Sequence, residues 1–353
     1  MLEMLTKLPL ELIDKWAKNN IILLRKTSKY LKEQIDNIQQ PLALTINNKW
    51  LRDPNNGNIT EKHNIIFNGI KSFKSISKLI LNNCRIEIFK IVLFKPHSIT
   101  YLDLSSNHCG LDVKKLVNMI KQCTSLLHLN LHYNKIETKG ACSLAIELNN
   151  CKKLTHFNIG ANLIGSIGIK KLIEVLTKLP IEFLNISNIQ LESEGIEYLK
   201  NLKSQTLINL NLCKNKIMTD DTINLAQMIH QCPNLVNINL SDNFIGANGI
   251  YNLSKEFKLC QNLAYLDLGY NLIGSDSIES FTRILPEIKS LVSLDLCGNN
   301  IDVFGAYSLA KVLGECKSLV CLKLLNNQIG PIGIEKIREV YKGKRILKIE
   351  KKN

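Results

Sequence analysis

The pattern L-x-x-L-x-L-x-x-N-x-I recurs ten times between Ile76 and Ile329, with a step of about 28 residues. Its clearest copies span residues 126–136, 235–245 and 263–273. Eight asparagines mark the copies: Asn107, Asn134, Asn162, Asn215, Asn243, Asn271, Asn299 and Asn327. A repeat at a fixed period sets the architecture before any single motif is considered, because one unit cannot bury its apolar face alone. The pattern therefore predicts a solenoid of stacked units.

Each unit contains a strand followed by a helix. The spacing of Leu129 and Leu131 predicts a short strand whose leucines point into the core. In the unit at 301–313, apolar residues recur at i, i+3, i+4 and i+7, which is one face of a helix. We expect an α/β solenoid, shaped as a horseshoe, with a parallel concave sheet inside and helices outside.

Glycines near the helix start narrow the class of repeat. The sequence Ile-Gly-x-x-Gly-Ile occurs at residues 164–169, 245–250 and 329–334. With the leucine pattern, it resembles the ribonuclease-inhibitor-like class of leucine-rich repeats over about three quarters of the chain. The resemblance implies an interaction scaffold without catalytic residues. One unit departs from the pattern, since Ile189 stands where asparagine belongs, and we expect a local irregularity in curvature there.

Five of the eleven cysteines occupy one repeat position, three residues before the leucine that opens the next unit: Cys123, Cys151, Cys232, Cys260 and Cys316. Free cysteine behaves as a small, readily buried apolar residue. The chain has no Cys-x-x-Cys motif that would indicate a zinc or redox site. We therefore expect packed thiols in a reducing compartment.

The two ends differ from the repeats. In residues 1–40, Leu8, Pro9, Leu12 and Ile13 begin a segment that resembles an F-box, although its middle is short; a helical cap on the solenoid fits these residues equally well. Residues 41–75 read as a transitional first repeat with a strand at Leu42, Leu44 and Ile46. Residues 76–353 are the leucine-rich repeats with a C-terminal cap, and a lysine-rich edge strand is expected within 342–353.

The formal charge of +14 invites a nucleic-acid interpretation, but the strand positions that face outward are not basic. One ladder reads Tyr101, His128, His156, Phe183, Asn209, Asn237, Tyr265, Ser293, Cys321, and the next reads Asp103, Asn130, Asn158, Asn185, Asn211, Asn239, Asp267, Asp295, Lys323. The asparagines are expected to supply uncharged donors and acceptors to a partner. The positive charge is expected on the outer helices and the ends.

The concave face contains the candidate partner-binding residues: Tyr101, Asp103, His128, His132, Tyr133, His156, Phe183, Tyr265, Asp267, Tyr270 and Asp295. Aromatic and imidazole rings form one cluster, while Tyr265 and Tyr270 are expected to form a second small group. Asp267 and Asp295 lie on neighbouring strands, where they can share a proton or meet a basic partner. The Cβ atoms of His128 and His156 should lie about 5 Å apart on neighbouring strands. Zinc sites need three or four ligands, however, so we expect no metal.

No phosphate-binding loop, dinucleotide motif, zinc-protease motif or serine-hydrolase motif occurs in the chain, and we expect neither an enzyme nor a cofactor. The predicted function is a protein–protein interaction scaffold. Its Lys-, Ile- and Asn-rich repeats resemble the leucine-rich-repeat effectors that intracellular bacteria deliver into host cells. Two alternatives remain: an F-box adaptor that binds a Skp1-type ubiquitin-ligase subunit, and a basic nucleic-acid-binding protein.

No apolar run approaches ~18 residues, the length that a membrane-spanning helix requires. Charged residues interrupt the N-terminal segment, which therefore does not read as a signal peptide. We expect a soluble protein that acts in the cytoplasm or, as an effector, in the cytosol of a host cell.

Overall fold

The computed structural model of the protein describes residues 42–47, 76–83, 96–341 and 346–348. The F-box-like residues Leu8, Pro9, Leu12 and Ile13 lie outside the described residues, as does most of the transitional segment 41–75. The division of the chain into a cap, a transitional repeat and a repeat array therefore stays a prediction.

Twelve strands form one parallel sheet, and their order in the sheet is their order in the chain. The strands are β1 (Leu42–Asn47), β2 (Ile76–Asn82), β3 (Tyr101–Asp103), β4 (His128–Asn130), β5 (His156–Asn158), β6 (Phe183–Asn185), β7 (Asn209–Asn211), β8 (Asn237–Asn239), β9 (Tyr265–Asp267), β10 (Ser293–Asp295), β11 (Cys321–Lys323) and β12 (Ile346–Lys348). The first strand and the lysine-bearing last strand lie where the sequence predicts them.

Within the described residues, α-helices follow the strands from β3 onward: α1 (Val113–Gln122), α2 (Thr138–Leu148), α3 (Gly165–Leu176), α4 (Ser193–Leu199), α5 (Thr222–His230), α6 (Gly246–Phe257), α7 (Gly274–Thr282), α8 (Val303–Leu313) and α9 (Gly330–Val340). Each helix packs against the next. Short 3-10 turns occur at Pro96–Ser98, Cys109–Asp112 and Leu285–Glu287. The predicted leucine-rich-repeat solenoid, with a parallel sheet and outer helices, is confirmed.

One apolar core runs through the array from Ile76 to Tyr341. The middle residue of each strand from β3 to β11, such as Leu129, is buried, whereas its two neighbours are partly or fully exposed. Glycine near the helix start allows the helices to approach the loops. A Cβ atom at Gly168 would lie 2.6 Å from Cγ2 of Ile164 and 3.2 Å from Cβ of Ala141. Close packing, rather than an unusual torsion, thus requires glycine at this repeat position.

The five cysteines of the shared repeat position are free and buried. The Cys151 thiol donates to the carbonyl oxygen of Cys123 in the preceding coil, at 3.6 Å. Burial raises the pKa of Cys151 to about 11 and that of Cys232 to about 11. The expected packing role is confirmed, because these thiols are kept in their neutral, weakly reactive form.

The marker asparagines join successive coils through their side chains. Nδ2 of Asn134 donates to the carbonyl oxygen of Leu104 in the preceding coil (2.9 Å) and to that of Leu131 in its own coil (3.0 Å). Oδ1 of Asn134 accepts from the backbone N–H groups of Asn107 and Cys109, each at 3.0 Å. The backward donation recurs at Asn162, Asn215, Asn243, Asn271, Asn299 and Asn327. Buried backbone groups are thereby satisfied between coils.

The unit with Ile189 lacks this amide. In other repeats, such as that of Asn134, the side-chain oxygen of the marker asparagine accepts from two backbone N–H groups of the preceding coil. Ile189 has no side-chain oxygen to accept from the equivalent N–H groups of Asn162 and Ile164. The strand register continues without a shift, since Phe183 pairs with Asn209. The unit is shorter, however, and its helix α4 has 7 residues. The expected change of curvature stays a prediction.

We expect Asn134→Ala to lower the free energy of unfolding by about 2–4 kcal/mol, because several buried backbone groups lose their partner and each costs about 1–3 kcal/mol. Denaturant unfolding followed by circular dichroism measures the change. The exposed Asn248→Ala on α6 is the matched control and should change stability by less than about 0.5 kcal/mol. Equal effects of the two substitutions would contradict the bridging role.

Candidate functional site

Four rings and one lysine form a continuous column across strands β2–β6. The backbone register places Lys78, Tyr101, His128, His156 and Phe183 side by side. The ring centroids of Tyr101 and His128 are 5.1 Å apart, those of His128 and His156 4.0 Å, and those of His156 and Phe183 5.9 Å. Lys78 Nζ lies 4.5 Å from the centroid of the Tyr101 ring. We call these five residues the ring column.

Hydrogen bonds orient the centre of the ring column. The Thr155 hydroxyl donates to the carbonyl oxygen of Leu127 (3.2 Å) and lies 2.9 Å from Nδ1 of His156. Because its proton is used, this hydroxyl accepts from His156, which favours the tautomer with a proton on Nδ1. Nε2 of His156 is then the acceptor that remains for a partner.

The His128 imidazole is favoured in its neutral form. Burial lowers the pKa of His128, and the nearby charges of His156 and Lys78 lower it further, while Glu182 acts in the opposite direction. At neutral pH the ring column therefore presents an uncharged His128 ring at its centre. Such a surface is polar at its edges without the desolvation cost of buried charge.

His132 and Tyr133 lie outside the ring column, on the turn after β4. The Nδ1 atom of His132 is buried without a hydrogen-bond partner, above Gly160, where a Cβ atom would lie 3.1 Å from it. Burial lowers the pKa of His132, and Asp103 opposes that shift. Tyr133 is exposed and has a left-handed backbone, with φ 54°. The structure therefore brings together Tyr101, His128, His156 and Phe183 but not these two residues.

Most side chains of the second ladder accept hydrogen bonds from backbone N–H groups. At the end of each strand from β3 to β10, a side-chain oxygen accepts from the N–H group two residues later, at 2.8 Å for Asp103 and Ser105 and 3.1 Å for Asn130 and His132. The same turn recurs at Asn158, Asn185, Asn211, Asn239, Asp267 and Asp295. Each of these asparagine oxygens already accepts a backbone hydrogen bond in an Asx turn at the end of its strand. The expected role of the asparagines toward a partner stays a prediction.

Two aspartates and one lysine form a row across strands β9, β10 and β11. Asp267, Asp295 and Lys323 are register neighbours on β9, β10 and β11, and Lys323 Nζ lies 2.9 Å from Oδ2 of Asp295. Burial acts to raise the pKa of Asp295, but hydrogen bonds from Cys297 and Lys323 outweigh it and leave that pKa below its ordinary value. Burial raises the pKa of Asp267. Within the protein, Asp295 thus forms an ion pair with Lys323, and the expected contact of the acid pair with a basic partner stays a prediction.

Tyr265 and Tyr270 do not form one group. Tyr265 is the first residue of β9, whereas Tyr270 lies three residues beyond the end of that strand. The Tyr270 ring lies against Gly298, where a Cβ atom would be 2.4 Å from its Cδ1 atom, and its hydroxyl accepts from Nδ2 of Asn326 at 2.5 Å. Both rings are about half exposed, at opposite ends of the strand.

Two contributors to the site are missing from the sequence prediction: Lys78 and Thr155. Lys78 lies on β2, one strand before the first predicted site residue, and the repeat register is the signal that finds it. Thr155 immediately precedes its strand, a position that simple strand alternation does not assign to the exposed face. Among the residues that the structure describes, no group of three or more His, Cys, Asp or Glu side chains is arranged to hold a metal ion.

Comparisons with known proteins agree with the fold. The family model described as Leucine Rich repeat matches residues 122–145. No curated protein sequence matches the chain. Among solved structures 193 chains match, including the leucine-rich repeat-containing protein LegL7 from Legionella pneumophila, with 19% identity, a TM-score of 0.48 and coverage of 77% of this chain and 94% of that one. Over the described ranges, no helix has the length and apolarity to cross a membrane. The repeat match and the twelve-stranded sheet together identify the fold as a leucine-rich-repeat solenoid.

The close contact between the His128 and His156 rings predicts that the pKa of His128 depends on the residue at position 156. We expect the pKa of His128 to lie below 6.5 and to move up toward that value in His156→Gln, because this substitution removes a neighbouring positive charge. Glu182→Gln should move the pKa of His128 further down. NMR titration of the imidazole Cε1–H signals measures both shifts. Since the folded protein binds the proton more weakly than the unfolded chain, the contribution of His128 to stability should fall as the pH drops below about 6.5. If neither substitution changes the pKa of His128, the proposed electrostatic contacts of His128 with His156 and Glu182 are wrong.

Proposed function

We propose that the protein is a non-catalytic scaffold that binds a protein partner on its concave sheet, with the ring column as the principal contact. The observation that carries this proposal is the row of ring contacts, two tilted and one stacked, that joins Tyr101, His128, His156 and Phe183 across four neighbouring strands of a partly exposed face. Asp267 and Tyr265, farther along the sheet, are secondary contacts for a partner that reaches β9.

Stacking prepares these rings for binding. Each ring is held by its neighbours, so little side-chain entropy remains to be lost when a partner covers the column. Aromatic side chains are enriched among the residues that dominate binding energy at protein interfaces. The edges of the column offer the Tyr101 hydroxyl and imidazole nitrogens for hydrogen bonds, while the ring bodies offer apolar area.

The charge of the sheet favours a protein over a nucleic-acid backbone. The described strands place Lys78, Lys323 and Lys348 at exposed ladder positions, and Lys323 is already paired with Asp295. Asp103 and Asp267 lie between them in the sheet. A phosphate backbone needs a run of unpaired basic side chains, which this arrangement does not supply.

A cellular context accompanies the proposal. The Lys-, Ile- and Asn-rich composition and the regular repeats resemble those of effectors that intracellular bacteria deliver into host cells. We propose that the partner is a host protein. The F-box adaptor function rests on residues outside the described part of the chain, and the experiment below includes it as an outcome.

Affinity capture from host-cell lysate tests the ring column. We expect Tyr101→Ala combined with Phe183→Ala to reduce the recovery of a captured partner at least tenfold, because each anchor contributes on the order of 1–2 kcal/mol. The control is Tyr251→Ala combined with Tyr307→Ala, which removes two exposed rings from the outer helices α6 and α8. Circular dichroism confirms that both variants are folded.

Equal recovery by the column variant and the wild type would exclude the ring column as the contact. Equal losses in the column variant and the outer-helix control would indicate non-specific capture through exposed rings. Retention of a Skp1-type subunit by both variants would favour the adaptor function instead.

A further inference from the structure

Large apolar side chains are exposed on three successive connections from strand to helix, at the carboxyl edge of the sheet. They are Phe244 (49% exposed), Tyr270 (47%), Leu272 (54%) and Phe304 (73%). Phe244 follows β8, Tyr270 and Leu272 follow β9, and Phe304 is the second residue of α8 after β10. We call these four residues the edge patch.

Hydrogen bonds between coils fix the segments that carry the edge patch. Phe244 and Leu272 each directly follow a marker asparagine, and the N–H group of Gly246 donates to the carbonyl oxygen of Asn271 at 2.9 Å. Farther along, the Ser275 hydroxyl donates to Oδ1 of Asp302 at 2.5 Å, and the N–H group of Phe304 donates to the same oxygen at 2.8 Å. The exposed side chains are thus fixed on one bonded framework.

Two members of the edge patch are held in an unfavourable backbone conformation. Tyr270 has φ 57° and Leu272 has φ 56°, in the left-handed region that large side chains rarely adopt. The Tyr270 ring is also clamped between Gly298 and Asn326, as its packing and hydroxyl contact show. Equivalent residues of another repeat, Lys214 and Lys216, have the same backbone conformation, with φ 60° and 57°, so it belongs to the repeat turn and fixes Tyr270 and Leu272 in place.

The three coils that carry the edge patch lack basic side chains from the strand through most of the helix, while exposed Lys214 and Lys216 of the preceding coil occupy the positions equivalent to Asp242 and Phe244. The chain has a formal charge of +14, yet residues 237–254, 265–282 and 293–310 contain no lysine or arginine. These same segments contain Asp242, Asp267, Asp276 and Asp302, and Asp242 and Asp276 are exposed. An apolar centre with an acidic rim is complementary to a surface of apolar side chains flanked by basic ones.

We propose that the edge patch is a second interaction surface, separate from the ring column, and that it binds a partner protein segment whose apolar side chains are flanked by lysine or arginine. Contiguous exposed apolar side chains with a polar rim mark protein interfaces. A second copy of this chain is the less favourable occupant, because its own edge patch has an acidic rim and would not supply the basic flanks.

Two matched peptides probe this chemistry on the full-length protein. One is an amphipathic helical peptide of leucine and lysine, and the other has glutamate in place of every lysine. Fluorescence anisotropy of the labelled peptides measures affinity at low and at physiological ionic strength. We expect the lysine peptide to bind more tightly than the glutamate peptide, with an affinity that falls as salt is added.

Substitutions locate the binding. Phe244→Ser combined with Leu272→Ser should weaken binding of the lysine peptide by about tenfold or more. The control pair is Leu111→Ser with Ile146→Ser, which are 83% and 67% exposed in other repeats, and it should change affinity less than about twofold. Asp242→Asn with Asp276→Asn tests the acidic rim without altering apolar contacts and should reduce both affinity and salt dependence.

Several results would overturn the proposal: no binding of the lysine peptide to the wild type, equal binding of the glutamate peptide, or equal losses in the edge variant and its control. Self-association of the wild type in sedimentation, abolished by Phe244→Ser with Leu272→Ser, would make a second copy the occupant and would also overturn it. The variant Tyr101→Ala with Phe183→Ala should retain peptide affinity, so failure at the edge patch is distinguishable from failure at the ring column.

Discussion

A buried side-chain amide between neighbouring coils is the interaction on which the array depends. Each marker asparagine donates backward and into its own coil, as Asn134 does to Leu104 and Leu131, and its oxygen accepts from the coil before it. The turn after the strand would otherwise bury backbone groups without partners, at a cost that apolar packing alone does not offset. The asparagine thus allows a tight turn in the core, and the turn sets the distance at which one coil follows another.

The functional surface is a consequence of that spacing. Because the coils stack without a shift in register, side chains at equivalent positions become neighbours across the sheet, and four rings from residues far apart in the chain form one stack. The same stacking turns isolated loop residues such as Phe244 and Leu272 into one exposed area. A repeat fold therefore builds its surfaces by columns, and one substitution changes one element of a column while its neighbours stay in place.

The periodic features were predictable from the sequence and the pairwise details were not. The strands, the outward ladders and the buried cysteines follow from the repeat, since identical positions must have equivalent environments. The use of Asn130 and its equivalents in Asx turns was missed, because the same amide serves equally well as a surface group or a backbone cap. The pairing of Asp295 with Lys323 and the clamp on Tyr270 depend on which residue occupies the next coil. Such contacts follow from the register only after the orientation of each side chain is known.

Ile189 interrupts the row of amide bridges between the coils of β5 and β6, whereas the next interface keeps its bridge, since Nδ2 of Asn215 donates to the carbonyl oxygen of Ile186. The ring column crosses the interrupted interface between His156 and Phe183, and the edge patch lies entirely on its carboxyl-terminal side. In a one-dimensional array, cooperativity passes only through the interfaces between neighbouring repeats. Because the interface between β5 and β6 lacks the bridge, local unfolding there separates Phe183 from the other rings of the column, while the edge patch stays within one unit.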